Sequence, residues 1–541
     1  MIQAPRIQPV DHVESLGHLS ISRATLGTWI ARGLEHRERR HEAEWLRVRP
    51  SPKLEFPFGF KSTQKQLLRW VADASGGKPF ADLYAAEFSR SLDALRTAER
   101  VVIFGTNALP ADEQHGPSEQ AEGAEGKESA HAAICFALNA PRYQNLRMRY
   151  RRFGRTELQM PVFSCGGMRY QHKWDDTKPE EIPEDNQRNL EATVLRSLEL
   201  GINHIETARG YGTSEMQLGW ILPRLPREKM IIQTKVEPFE TGREFLETFE
   251  TSMSYLKLDY IDLLSLHGVN TPELLNQALR KGGALDVARQ LQREGRCRFI
   301  GFTTHATNEV IVRAIETDAF DYVNLHWYFV NGFNWPAVQA ATARDMGIFI
   351  ISPTDKGGML YRPPEKLVNL CGPLSPIAFN DLYCLARREV HTLSLGAAKP
   401  SDFDEHVAAL EHYDQAGEIV APIEQCIREE MTGVLGADWC ANWASDLPSY
   451  TDVPGEVNVQ EILRLWTYAR SLDLIEWGKM RYNLMGNAGH WFPGVNAAKF
   501  DPEAIRHALG AHPLAARIPE ILAEAHRLLH GSEVRRLSES A

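Results

Sequence analysis

The 541-residue sequence lacks the features of several large classes of protein. Its seven cysteines are scattered and form no CxxC pair, which excludes the usual zinc-knuckle and cysteine-bound cluster motifs. No apolar run approaches the ~20 residues of a membrane span, and the N-terminus has no secretory-type apolar stretch. A net charge of −11 argues against nucleic acid as the main partner. We therefore expect a cytoplasmic protein without a metal site.

The texture of the sequence divides the chain into four regions. Residues 1–110 contain helical patterns and form an N-terminal extension of unknown fold. Residues 1–147 as a whole resemble no family, so they are either an appended module or a consequence of start-codon choice. Residues 111–131 are polar, acidic and almost free of apolar residues, which predicts a flexible linker. From 148 to 425, short apolar runs alternate with amphipathic helical patterns. Residues 426–535 contain helical patterns and loops, and they predict a helical C-terminal extension.

Eight apolar runs in region 148–425 predict strands, and helical patterns separate them. The runs are apolar throughout rather than alternating, which is typical of a parallel sheet covered on both faces. Eight strand–helix repeats indicate an α/β fold of the (β/α)8 TIM-barrel type. A doubly wound open sheet is the alternative, but the GxGxxG motif of its first loop is absent. The runs are VFSCGG, NHIETA, MIIQTK, IDLLSLH, RFIGFTT, YVNLHW, IFIISP and HTLSLG.

Four polar side chains fall at the carboxyl ends of predicted strands, where TIM barrels place their active sites. Glu206 ends the second strand and Tyr211 follows it, Lys235 ends the third strand, and His267 ends the fourth. Taken singly, each has an ordinary structural explanation, such as a helix cap or a surface lysine. Because they lie on three consecutive strands, together they predict one shared site.

This set of side chains permits a specific chemistry. The pKa of tyrosine, near ~10, makes it a poor acid at neutral pH, and we expect the Lys235 cation to lower it by favouring the phenolate. Glu206 would keep Lys235 charged, and His267 would orient a carbonyl oxygen. Tyr211 would then protonate that oxygen as a nicotinamide delivers hydride to the carbon, because no side chain here is an activated nucleophile.

Residues 148–425 resemble the aldo/keto reductase family through six motifs in the family's order. The motifs are MRYRRFGRTELQMPVFSCGGMRY, GINHIETARGYGTSEMQLG, IIQTKV, YIDLLSLHG, GRCRFIGFTTHA and LGAAKPSDFDEHVAAL. The resemblance implies a TIM barrel and reversible carbonyl–alcohol interconversion with NADPH, less often NADH. It makes Tyr211 the catalytic acid, with Lys235 and His267 as its partners.

The catalytic set departs from the family pattern at one position. Glu206 stands where the family has Asp. On an unchanged backbone the extra methylene displaces the carboxylate, and a displacement of about 1 Å can cost roughly 10²-fold in rate. We also expect Arg209, three residues further on, to offer Glu206 a competing ion pair.

The resemblance also assigns a cofactor site. Thr303, Thr304 and Asn324 match the residues that hold the nicotinamide carboxamide, and Ile351 replaces the aromatic residue on which the ring stacks. Lys399 would meet a 2′-phosphate near the start of a helix, which attracts anions. The full predicted set is Gly167, Met168, Thr303, Thr304, Asn324, Ser352, Gly396, Lys399 and Glu405.

Residues 426–535 resemble an extension that carries a ferredoxin-like cluster in one branch of the family, but the CxxCxxC runs are missing and no cluster is expected. Its aromatic loop, His490 to Phe492, either closes over the barrel mouth or packs within the extension. Two functions stay open. One is an NADPH-dependent reductase of a small aldehyde or ketone. The other is a nicotinamide-binding regulatory or scaffold protein with weak or no turnover, whose extensions bind a protein partner.

Overall fold

The computed structural model of the protein describes residues 148–486 and 493–531, together with the backbone of two short strands, Arg6–Ile7 and Phe56–Pro57. These two strands pair antiparallel in an N-terminal unit. The remainder of predicted region 1–110, the predicted linker at 111–131 and the aromatic loop of the extension lie outside the described residues.

The strands of the second unit form a hairpin and a barrel. The strands are β1 Tyr150–Arg152, β2 Gln159–Pro161, β3 Phe163–Gly166, β4 His204–Glu206, β5 Ile231–Val236, β6 Ile261–Leu266, β7 Cys297–Thr303, β8 Tyr322–Leu325, β9 Gly347–Ile350 and β10 Thr392–Leu395.

Helices follow the strands of the barrel and then continue as a group of their own. They are α1 Glu184–Glu199, α2 Ser214–Leu218, α3 Gly242–Leu256, α4 Pro272–Leu279, α5 Ala284–Arg293, α6 Asn308–Glu316, α7 Trp335–Ala343, α8 Glu365–Cys371, α9 Pro376–Leu385, α10 Asp404–Ala409, α11 Ala416–Leu435, α12 Ala437–Asn442, α13 Val459–Leu472, α14 Ile475–Tyr482, α15 Pro502–Leu509 and α16 Ile518–Leu529.

The eight strands β3 to β10 form a closed barrel in which neighbours in the chain are neighbours in the sheet. All pairs are parallel, and β10 pairs with β3 to close the ring. Each of the eight predicted apolar runs overlaps one of these strands. The (β/α)8 prediction is therefore confirmed, and the open-sheet alternative is wrong because no edge strand remains.

The hairpin β1–β2 lies at the amino ends of the barrel strands. Phe153, at its turn, is fully buried in a cluster with Met160 and with Tyr322 and Phe349 from inside the barrel. Tyr322 is the first residue of β8, which identifies the end of the barrel that this cluster fills. The carboxyl ends of the strands are left to form the site.

The C-terminal helices pack on the loops at those carboxyl ends. The Tyr468 hydroxyl donates to the Phe329 carbonyl oxygen at 3.2 Å, and Arg464 Nη1 donates to that of Val330 at 2.8 Å. Both donors belong to α13, and both acceptors lie in the loop after β8. The helical nature of the extension is as predicted, although α11 runs across the predicted boundary at 425, and the domain limits stay a prediction.

The described part of the chain lacks two kinds of feature. None of its helices is long and apolar enough to cross a membrane. None of its His, Cys, Asp or Glu side chains come together in groups of three or more that could hold a metal ion.

Candidate active site

The four predicted catalytic residues line one cavity at the carboxyl end of the barrel. Glu206 is the last residue of β4, Lys235 lies near the end of β5, and His267 follows β6 directly. Tyr211 comes from the loop after β4. Glu206, Lys235 and His267 are buried, whereas Tyr211 remains partly accessible. The barrel brings them together because parallel strands end at a common rim.

Lys235 is the centre of the hydrogen bonds in this group. Its Nζ donates to Glu206 Oε1 at 2.7 Å, to the Thr207 carbonyl oxygen at 2.7 Å, and to the Tyr211 hydroxyl at 3.3 Å. The same ammonium lies 4.5 Å from the centre of the Tyr211 ring, within cation–π range. The rings of Tyr211 and His267 meet edge to face with centroids 5.8 Å apart. These contacts orient the phenol towards the cavity.

The expected effect of Lys235 on Tyr211 is wrong. The pKa of Tyr211 is raised well above its usual value, first by burial and then by the negative charge of Glu206. The pKa of Lys235 is lowered by burial, against which Glu206 acts. Desolvation disfavours each charged form, and the Lys235 charge is largely compensated by the carboxylate 2.7 Å away. Tyr211 is therefore a neutral phenol near pH 7 and carries a proton to donate.

Glu206 makes the ion pair with Lys235 that the resemblance assigns to an aspartate at this position. Its Oε1 reaches Lys235 despite the extra methylene, so the buried ion pair is intact. The predicted competition from Arg209 is wrong. The Arg209 guanidinium pairs instead with Asp176, and with the buried Glu215 at 3.2 Å. Asp176 precedes Arg209 by 33 residues and approaches it only in the folded chain.

The loop that presents Tyr211 needs a glycine after the tyrosine. Gly212 has a φ of +51°, and a Cβ at that position would lie 2.0 Å from the carbonyl oxygen of Lys173. The residue just after that contact point also shields the phenol, since the Trp174 ring packs edge to face on Tyr211 with the ring centroids 6.2 Å apart. Close approach of two backbone segments thus fixes where the phenol lies.

Comparison with known proteins agrees with this geometry. Residues 163–330 match the model of the aldo/keto reductase family. This match supports the aldo/keto reductase family for the barrel part of the chain. The chain is therefore of the NAD(P)H-dependent oxidoreductase type, and NAD(P)H-dependent carbonyl reduction is the general chemistry of the family.

Individual relatives match parts of the chain. L-galactose dehydrogenase of Arabidopsis thaliana is 26% identical over 267 residues, which are 42% of this chain and 79% of that protein. NADH-specific methylglyoxal reductase of Escherichia coli is 29% identical over 130 residues, which are 20% of this chain and 39% of that protein. A solved aldo-keto reductase from Bacillus halodurans aligns with a TM-score of 0.42 and 21% identity, covering 50% of this chain and 96% of that one.

Four of the residues predicted for the cofactor of an aldo/keto reductase lie at the same cavity, whereas Thr304 and Asn324 are buried and are not among the residues that line it. Met168, Thr303, Ser352 and Gly396 line it. Gly167 adjoins Met168, and its N–H donates to the Glu206 carbonyl oxygen at 2.7 Å. Ser352 has a φ of +52°, a conformation that costs energy for any residue except glycine and that is concentrated at functional sites.

One buried side chain fits the carboxamide of a nicotinamide. Both polar atoms of the Asn324 amide are buried and find no hydrogen-bond partner among the described residues. Such a group is costly unless a ligand satisfies it, and a carboxamide offers the matching donor and acceptor. The Thr303 hydroxyl accepts from the Gly268 N–H at 3.0 Å. Thr304 turns away, because its hydroxyl donates to the Val269 carbonyl oxygen at 2.8 Å.

The residues predicted for the adenosine end lie outside this cavity. Lys399 and Glu405 are exposed; Lys399 directly precedes the 3-10 helix Pro400–Phe403, and Glu405 lies on α10. His406, which stands beside Glu405 in place of the family's Asn, is buried and pairs with Asp381 at 2.5 Å. His406 therefore makes its contact within the protein interior and does not face a ligand.

The cavity also has a wall that the sequence reasoning missed. Four further residues line the cavity, and none of them has a predicted role: Arg169, His305, Asp355 and Lys356. His305 follows the end of β7, and Asp355 and Lys356 lie in the loop after β9. The strand-end rule that selected Glu206 and its neighbours would have selected these residues as well, had it been applied to all eight strands.

Proposed function

We propose that this protein reduces the carbonyl group of a small aldehyde or ketone to an alcohol, with NADPH as the preferred cofactor and Tyr211 as the general acid. The observation that carries the proposal is the contact of the Tyr211 hydroxyl with the buried Lys235 ammonium, 3.3 Å apart, at the cavity. A cytoplasmic location belongs to the same proposal and rests on the scattered cysteines.

Each residue of the group has a definite task in this chemistry. A bound reduced nicotinamide supplies hydride to the carbonyl carbon. Tyr211, which is neutral, donates its proton to the carbonyl oxygen as charge develops there. Lys235 stabilises the phenolate that is left behind, and the Glu206 carboxylate compensates the Lys235 charge. His267 lines the same cavity and orients the carbonyl oxygen through a hydrogen bond.

The proposed cofactor contacts fall into two groups, one for the nicotinamide part of the cofactor and one for the adenosine part. Asn324 and Thr303 would hold the carboxamide, and Met168, Gly167, Ser352 and Gly396 would form the surface along which the cofactor lies. Lys399 would bind the 2′-phosphate that distinguishes NADPH from NADH, and Glu405 the adenine. Lys399 is exposed, as a contact to an outer phosphate requires.

The decisive experiment replaces Tyr211 with phenylalanine. NADPH should quench the tryptophan fluorescence of both proteins, since Trp174 lies beside Tyr211. Turnover of aldehydes should fall by about 10²–10⁴-fold in Tyr211→Phe, the range that a general acid contributes. Tyr150→Phe is the matched control, because the Tyr150 hydroxyl donates to the Gly201 carbonyl oxygen on the opposite side of the barrel from the cavity and should leave turnover unchanged.

The same assay distinguishes the proposed reductase from a regulatory or scaffold protein that binds the cofactor without turnover. If the unmodified protein binds NADPH but oxidises none with a panel of aldehydes, ketones and quinones, a regulatory or scaffold role is favoured. If it neither binds nor oxidises NADPH, both functions are wrong.

A further inference from the structure

A second cluster of charged and titratable groups lies at and behind one side of the cavity, on the loops after β7, β8 and β9 and on helices α13 and α14. We call it the basic wall, and it consists of Lys356, His305, His326, Arg464 and Arg481. Lys356 and His305 line the cavity together with Tyr211 and Lys235. The carbonyl chemistry proposed above uses none of these five residues.

Hydrogen bonds connect the inner members of the basic wall. Lys356 Nζ lies 3.4 Å from His305 Nδ1, and His305 Nδ1 lies 2.7 Å from His326 Nε2. Lys356 and His326 are buried, with 6% and 5% of their surfaces exposed. The two imidazole rings also contact each other, with centroids 4.8 Å apart. The Lys356 ammonium is thus held at a defined place in the wall.

The charges behind the cavity are predominantly positive. Burial lowers the pKa of His326 well below its usual value, and the nearby charges of Lys356, Arg481 and Arg464 lower it further. The acids packed there are Glu461 and Asp355, of which Asp355 also lines the cavity next to Lys356. Glu461 lies 2.5 Å from Arg464 and 3.8 Å from Arg481, and Asp355 accepts a hydrogen bond from Tyr361 at 2.8 Å. Three cations therefore face two carboxylates.

The C-terminal extension holds this wall in place. Trp477 of α14 donates its indole N–H to the Lys356 carbonyl oxygen at 3.0 Å. Arg464 of α13 is bonded to the loop after β8 through the Val330 carbonyl oxygen. A Cβ at Gly357 would lie 1.8 Å from the carbonyl oxygen of Pro353, so the loop that carries Lys356 folds back tightly on itself. A preorganised cation loses little freedom when it binds an anion.

We propose that Lys356 and His305 form an anion-binding subsite of the cavity, and that it takes the carboxylate or phosphate group of a carbonyl substrate. Lys356 supplies the charge and the His305 ring a directional hydrogen bond. The orientation of such a substrate, with its carbonyl towards Tyr211, rests on the proposed function. The binding of an anion at Lys356 does not.

Turnover of matched substrates tests the subsite. The acids 4-oxobutanoate and 4-formylbenzoate are compared with the uncharged butanal and methyl 4-formylbenzoate. In Lys356→Met, kcat/KM for the two acids should fall about 10–100-fold, the usual loss for a hydrogen bond to a charged group, while the neutral aldehydes change less than about twofold. Lys229→Met is the control, because Lys229 is exposed and precedes β5 at the opposite end of the barrel. His305→Gln repeats the test if Lys356→Met does not fold.

An equilibrium measurement separates this proposal from the proposed function. Benzoate is titrated calorimetrically into the protein with and without saturating NADP⁺, and its Kd should rise at least about tenfold in Lys356→Met. If no aldehyde is turned over but benzoate binds through Lys356, the reductase function fails and the subsite stands. Equal benzoate binding by both proteins, or no binding, overturns the subsite. So does an equal loss for acids and neutral aldehydes. A rise in the KM for NADPH instead would show that the anion is a cofactor phosphate.

Discussion

Replacing Glu206 with glutamine would keep the size of the side chain and its oxygen acceptor but remove its charge. In the folded protein the Lys235 ammonium lies 2.7 Å from Glu206 Oε1, and the two side chains are 2% and 4% exposed. Glutamine can still accept the hydrogen bond from Nζ. The change therefore isolates the electrostatic part of a buried ion pair.

The loss in the free energy of unfolding of Glu206→Gln has both an expected value and an upper limit. Removing one partner of a buried ion pair costs about 3–5 kcal/mol. Lys235 can escape part of that cost by losing its proton, which at pH 7 requires about 4.6 kcal/mol for a lysine whose pKa in the unfolded chain is about 10.4. The limit falls by about 1.4 kcal/mol for each unit of pH, to about 1.9 kcal/mol at pH 9. The unfolded chain binds the proton and the folded variant does not, so the variant becomes more stable as the pH rises.

The assay is urea unfolding at pH 7 and pH 9, followed by tryptophan fluorescence, with NADPH turnover measured in parallel. Glu206→Gln should lose about 3–4.6 kcal/mol at pH 7 and no more than about 1.9 kcal/mol at pH 9. Glu184→Gln is the control, since Glu184 pairs with Arg188 on an exposed surface and should shift no midpoint detectably. A midpoint equal to that of the unmodified protein at pH 7 would refute the reasoning. A larger loss at pH 9 would attribute the effect to packing rather than to charge.

Two further predictions concern the region after β10. Burial lowers the pKa of His406, but the charge of Asp381 outweighs it and the pKa is raised overall. The pair therefore stabilises the fold below the pKa of a free histidine, and the effect is lost as the pH rises through the folded value. His406→Asn should lower the melting temperature more at pH 5.5 than at pH 9, and an equal loss at both would contradict this. Lys399→Met should raise the KM for NADPH about tenfold without changing that for NADH, whereas equal changes would exclude a 2′-phosphate contact.

The barrel could be predicted because each of its strands is a continuous apolar run, and a run that is apolar on both faces belongs inside a covered parallel sheet. The catalytic group followed from the same pattern. Once Glu206, Lys235 and His267 each end a strand, closure of the barrel places them at one rim whatever the loops do. The hairpin β1–β2 was not predicted, because its two strands have three residues each and their pattern is too short to detect.

The ionisation of the site depended on the folded structure. Whether Lys235 acidifies Tyr211 depends on the burial of both groups and on which carboxylate the ammonium touches, and burial outweighs the cation here. The partner of Arg209 was equally hidden, since Asp176 lies 33 residues away in the chain. Such effects arise from distances between atoms that the order of residues does not express.

The sequence by itself determined the barrel, its strands and the residue types at its rim, since these depend on local apolar patterns and on the regular geometry of a closed parallel sheet. Only the tertiary structure decided the charge balance of the cavity. It brings Trp477 against the loop of Lys356, 121 residues earlier, and so adds a basic wall to the site. Desolvation and ion pairing act over a few ångströms in space, and only the fold determines which charges come that close.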